Sequence, residues 1–146
     1  MLPGPTIILI MNSVLMAARF VSASVFNFFL VSTHMPHAVL EYSANLDASH
    51  DPGELVATAH AVMTQCGLFS PNAIKTRAYK TQHFCVGEQG SEGMFLHVTI
   101  QLLEGRTLAQ RSALTQAMFD ALRPMLPEAA KLSVDSVDMV KETYRK

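Results

Sequence analysis

The chain has 146 residues, of which 49% are apolar and 16% charged, with a formal net charge of -1 and two cysteines. That length suits one domain with a packed core, and the apolar content excludes disorder. The charge balance excludes a non-specific nucleic-acid binder, and two cysteines exclude a disulfide scaffold or a four-cysteine metal site.

The composition breaks near residue 35. Residues 1–34 hold 21 apolar side chains and a single charge, Arg19, while the rest of the chain carries 10 basic and 12 acidic residues. An apolar leader therefore precedes a domain over 35–146 that reads as an ordinary soluble unit. Residues 6–31 reach the ~20-residue length of a membrane-spanning helix. Asn12, Ser13, Arg19, Ser22, Ser24 and Asn27 interrupt them. No Lys or Arg precedes Arg19, as a signal peptide would require. Met35 stands at the break, so the leading expectation is a start assigned too far upstream. A targeting or anchoring segment is the second, and only then would a membrane be a partner.

The segment 37–43, HAVLEYS, sets Ala38, Leu40 and Tyr42 on one face and Val39 and Glu41 on the other, which predicts a strand. Asp51-Pro52-Gly53-Glu54 has the order of a helix start, with Asp at the N-cap and Pro at the first helical position. The predicted helix carries a stripe of Leu55, Ala59, Val62, Met63 and Cys66 and stops at Gly67. Residues 74–86 are β-branched and aromatic enough for a second strand, followed by a loop with three glycines over 87–93. Residues 94–103, MFLHVTIQLL, form the strongest predicted strand, apolar enough to be central and covered on both faces. Thr107 and Gln110 make a capping box for a second helix with a stripe of Leu108, Leu114, Met118, Ala121 and Leu122. Pro124 ends it, and 131–140 is the last strand. The order is β-α-β twice: an α+β fold with a four-stranded sheet and two helices on one face. Two helix stripes leave the other face bare, so oligomerisation is expected.

Few residues offer chemistry. His34, His37, His60, His83 and His97 show no metal-ligand spacing, so no metal site is expected. Gly87, Gly90 and Gly93 lack the lysine and the following helix of a phosphate loop. Cys66 and Cys85 show no sign of an activated thiolate. Asp135 and Asp138, on the last strand, are expected to be solvated. The junction Met35-Pro36-His37 remains. If Met35 is the start, its removal leaves Pro36 as a free secondary amine at the head of a strand. In an apolar pocket near cationic side chains such an amine loses its proton near neutral pH and can move protons to and from carbon.

The run Pro36-His37, Glu41, Ser43, Asn45-Leu46 resembles the start of the 5-carboxymethyl-2-hydroxymuconate Δ-isomerase family of the tautomerase superfamily. The resemblance continues through Gly67-Leu68-Phe69, residues 74–77, residues 95–100, Gly105-Arg106-Thr107-Leu108 and Arg111. It covers residues 36 to about 140 and none of the leader. It implies the tautomerase fold, a homotrimer with sheets around a three-fold axis, and a cytoplasmic enzyme that needs no cofactor. It also implies a dicarboxylate- or tricarboxylate-type enol substrate. Pro36 matches the proline that shuttles the proton, and Arg106 matches one carboxylate-binding arginine. At the position of the other arginine this chain has Lys75, which keeps the charge without the guanidinium fork. Arg77, two residues on, is expected to share the task.

Overall fold

The computed structural model describes residues 35–145; the leader, with its readings as a mis-assigned start or an anchor, lies outside the described residues. The main elements are β1 (His37–Ser43), α1 (Pro52–Gln65), β2 (Lys75–Thr81), β3 (Phe95–Leu103), α2 (Leu108–Leu122) and β4 (Lys131–Met139), joined by short 3-10 turns. The sheet order is β2-β1-β3-β4. β1 runs parallel to β2, β3 parallel to β4, and β1 antiparallel to β3. Each β-α-β unit thus contributes one edge strand and one interior strand.

Local chemistry starts both helices. The Asp51 carboxylate accepts a bond from the Gly53 amide at 2.8 Å, and Pro52 fills the first helical position, where no donor is required. At α2 the Thr107 hydroxyl accepts from the Gln110 amide at 3.2 Å, and the Gln110 side chain returns a bond from the Thr107 amide at 2.9 Å. α1 ends against Gly67, whose φ of 70° is left-handed backbone that glycine adopts without strain.

The core lies between the helices and one face of the sheet. Leu55, Ala59 and Met63 of α1 and Leu114, Met118 and Leu122 of α2 cover Ala38, Leu40, Leu96, Val98, Ile100 and Leu102. Each large side chain buried here contributes about 1.5–3 kcal/mol.

Two expectations change. Leu108 is 82% exposed rather than part of the α2 stripe. It lies six residues before Leu114, about 240° around the helix, and so faces away. The second strand stops at Thr81 instead of 86, because its partner β1 stops at Ser43, directly across from Thr81. As the two helix stripes implied, β3 is central and buried by this chain on one face only; the other carries half-buried Phe95, His97, Thr99 and Gln101. Asp138 is exposed, as expected, and is also paired: Arg111 donates to its carboxylate at 2.8 Å. Asp135, three residues earlier on the same strand, points to the opposite face.

Two side chains fasten the turn after β1 to the start of β3. Ser43, fully buried, accepts the Phe95 amide at 3.0 Å. The Asn45 amide nitrogen donates to the Gly93 carbonyl at 2.9 Å. Gly93 is pressed against Val86, where a β-carbon would come within 2.5 Å of the Val86 β-carbon.

Candidate active site

Pro36 directly precedes β1 and is buried. Its carbonyl accepts the Lys75 amide at 3.0 Å, which extends the β1–β2 ladder by one residue. By strand alternation its ring lies on the side of Ala38, toward the helices. The antiparallel register pairs His37 with Gln101. Continued by one residue, that register sets Pro36 beside Leu102.

Arg106 occupies the turn just beyond that end of β3. Gly105, with φ of 106°, makes the turn and presents the arginine. The guanidinium donates to the Leu103 carbonyl at 2.9 Å and to the Leu68 carbonyl at 3.3 Å, and lies 5.0 Å from the centre of the buried Phe69 ring. Burial lowers its pKa, and the nearby Cys66 and Asp138 act in the opposite direction. Two of its five N–H donors are committed to backbone, leaving others for an anion. Pro36 and Arg106 therefore share one end of the sheet on the helix side.

Lys75 and Arg77 do not join them within one protomer. Thr76, between them, bonds the His60 imidazole of α1 at 2.9 Å and so faces the helices. Lys75 and Arg77 then face the opposite, open side of β2, both on one face as expected. Arg77 is engaged there. It donates from Nη1 to His37 Nδ1 at 3.1 Å and from Nε to the Tyr79 hydroxyl at 3.0 Å. His37 Nε2 in turn lies 3.2 Å from the Tyr144 hydroxyl. The sequence pattern pointed to none of the contacts of His37 and Tyr144. His37 pairs with Lys75 across the β1–β2 ladder, and Arg77, two residues on, shares their face of the sheet.

Cys66 flanks the arginine seat. Burial raises its thiol pKa, while the Leu68 backbone and Arg106 counteract that rise. An apolar cleft of about 290 Å³, lined by Cys66, Leu68, Gln110, Ala113, Leu114 and Ala117, opens beside it between the end of α1 and the start of α2. Among the described residues no group of three or more His, Cys, Asp or Glu side chains is placed to hold a metal ion. No helix among them is long and apolar enough to cross a membrane.

Comparison with known proteins gives this geometry a family. The sequence model for 5-carboxymethyl-2-hydroxymuconate isomerase matches residues 36–136. A crystal structure of a 5-carboxymethyl-2-hydroxymuconate delta-isomerase is similar at 22% identity, over 78% of this chain and 89% of that one, with a TM-score of 0.67. A 5-carboxymethyl-2-hydroxymuconate isomerase from Deinococcus radiodurans R1 is similar at 23% identity, over 80% and 92% of the two chains, with a TM-score of 0.64. A symmetric trimer of fused 4-OT shares the fold at 15% identity, over 73% and 88%, with a TM-score of 0.62. No curated protein sequence matches the chain. The α+β architecture expected from the residues is thus the tautomerase fold, and the chain belongs to the 5-carboxymethyl-2-hydroxymuconate isomerase family, a family of isomerases.

Proposed function

We propose that the mature protein begins at Pro36 and moves a proton within a 2-hydroxymuconate-type dienol to give the unsaturated 2-oxo acid. The first substrate to try is 5-carboxymethyl-2-hydroxymuconate, which would place the enzyme in the cytoplasmic catabolism of an aromatic acid, homoprotocatechuate. The observation that carries this reading is the position of Pro36: buried, at the head of an interior strand, at the end of the sheet where Arg106 sits.

The amine of a terminal Pro36 is a base only while neutral. Its apolar seat and nearby cations disfavour the protonated form. The amine takes the proton of the 2-hydroxyl, the electron pair moves through the conjugated system, and Pro36 returns the proton to carbon at its far end. The step is balanced within the substrate. Arg106 binds a carboxylate and stabilises the developing dienolate through charge-assisted bonds. As an internal residue Pro36 is an amide with no basic lone pair, so this chemistry requires that the Met35–Pro36 bond be absent. A retained leader leaves a membrane-tethered, non-catalytic interaction domain as the alternative.

A homotrimer completes the site in this reading. Lys75 and Arg77 lie on the open sheet face, across the sheet from Arg106. Packing of the open faces around a three-fold axis would cover the half-buried polar rows and bring these cations against a neighbouring copy. The same separation favours a second reading, another keto-enol tautomerase of the superfamily acting on an enol with fewer carboxylates, such as phenylpyruvate. A panel of enol substrates separates the two.

Intact mass and N-terminal sequencing of the protein expressed from its gene come first, followed by turnover of Pro36→Ala. The expected result is a chain that starts at Pro36 and loses at least 100-fold in turnover on substitution, within the usual range for a general acid–base group. Near-normal turnover by a verified Pro36→Ala protein would overturn the mechanism.

A further inference from the structure

Four side chains on the open sheet face form a connected row: Tyr79, Arg77, His37 and Tyr144. They join β2, β1 and the C-terminal tail, and one of them, His37, is the residue that follows Pro36. Their hydrogens can be assigned by elimination. A guanidinium has no acceptor, so His37 Nδ1 must accept from Arg77. The imidazole is therefore neutral, with its proton on Nε2, and Nε2–H donates to the Tyr144 hydroxyl. The two rings meet edge-on, with centroids 6.4 Å apart and planes at 73°. The ring is held on both sides, and its backbone is the first residue of β1.

We propose that His37 and Tyr144 are positioning residues for Pro36, with the tail clamping the front of β1 so that the proline nitrogen keeps one place relative to Arg106. The inference rests on the isomerase reading above. Strand pairing fixes the Pro36 carbonyl through Lys75. It leaves the nitrogen side of the residue, which has no ladder partner, to be steadied by its neighbour. A small displacement of a reacting atom is costly because near-attack geometry is narrow. The clamp touches neither substrate nor reacting atoms, so its loss should lower kcat and leave KM nearly unchanged.

Tyr144→Phe and His37→Ala are each expected to lower kcat about 3- to 10-fold, with KM within about two-fold, because a lost orienting contact is one part of the proximity term. The double variant should be no worse than the worse single, since both remove one contact. His37→Gln, whose amide can accept from Arg77 and donate to Tyr144, should recover most of the loss. In the same samples without substrate, imidazole ¹⁵N shifts should report a single Nε2–H tautomer in the wild type and in Tyr144→Phe, where Arg77 still donates to Nδ1, with the Nε2 signal displaced in Tyr144→Phe by loss of its acceptor. Wild-type kcat in Tyr144→Phe, a multiplicative double variant, or a mixed tautomer in the wild type overturns the clamp. Where Pro36→Ala stays active, the isomerase mechanism has failed instead. The ¹⁵N result then stands on its own: a single Nε2–H form whose Nε2 signal moves in Tyr144→Phe upholds the contact, and a mixture in the wild type or an unmoved Nε2 signal refutes it.

Discussion

Arg106→Ala tests whether one guanidinium both holds the scaffold and serves the substrate. In the folded protein its terminal nitrogens bridge the Leu103 carbonyl at the end of β3 and the Leu68 carbonyl after α1, above the Phe69 ring. Alanine leaves both carbonyls without that partner. Partly buried bonds from a charged donor are worth about 1 kcal/mol or somewhat more each, and the guanidinium–ring contact adds roughly 0.5–1 kcal/mol. The expected loss is about 2–4 kcal/mol, a drop in Tm on the order of 10–20 °C for a domain of this size. Urea unfolding followed by circular dichroism measures it. Arg106→Lys keeps the charge but cannot span two carbonyls in a fixed fork, so it should recover about half of the stability at most. An Arg106→Ala protein within 0.5 kcal/mol of wild type would refute the bridging role, because surface changes away from such contacts fall in that range. Substrate binding would then be the only reason for an arginine in this turn.

Two further predictions concern stability. Ser43→Ala removes the hydroxyl that accepts the Phe95 amide at a fully buried position, and should cost about 1–3 kcal/mol. Hydrogen exchange should show the Phe95 amide losing protection before the centre of β3 does, and uniform protection would sink the idea. The second concerns pH. Burial first, then Arg77 and Lys75, hold the His37 pKa below its ordinary 6.5. The folded state prefers neutral His37, so this stabilisation is present above the unfolded value and is lost as pH falls through the lower folded value. Around the ring stand Lys75 and Arg77 of β2, Gln101 of β3 and Tyr144 of the tail, with no carboxylate among these neighbours. Urea stability should decline below about pH 6.5 more steeply in the wild type than in His37→Gln. Equal slopes would show that other groups carry the pH dependence.

The parts of this fold that were legible in the sequence are those fixed by neighbours a few residues apart. The Asp51 cap, the Thr107–Gln110 box and the Gly67 stop act within one turn, and each stands where the pattern put it. Alternation in 37–43 set the buried face of β1 correctly for the same reason. What depends on a partner far along the chain was not legible. The end of β2 is set by the end of β1, and no composition within 82–86 carries that information. The Arg111–Asp138 pair spans α2 to β4. At the site, the resemblance named Pro36 and Arg106, which share one sheet end, together with Lys75 and Arg77, whose place relative to them within one protomer no local pattern could give. Strand alternation around Thr76 puts those two on the other face. Tyr144 was invisible because a charged tail gives no reason to expect that its one aromatic ring returns to β1.

The contact between His37 and Tyr144 has a topological meaning as well. It brings the first strand and the last residues of the domain together, so the chain almost closes on itself. A short peptide could join residue 145 to Pro36, with new ends opened in the glycine turn at 87–92. Such a circular permutant would keep every side chain and every strand pairing, yet its proline nitrogen would sit in a peptide bond. A protein of the same architecture, changed only by the linker and the place of its ends, would then lack the lone pair of a free proline amine; a second permutant opened at 87–92 whose linker is cleaved just before Pro36 restores that lone pair and serves as its control.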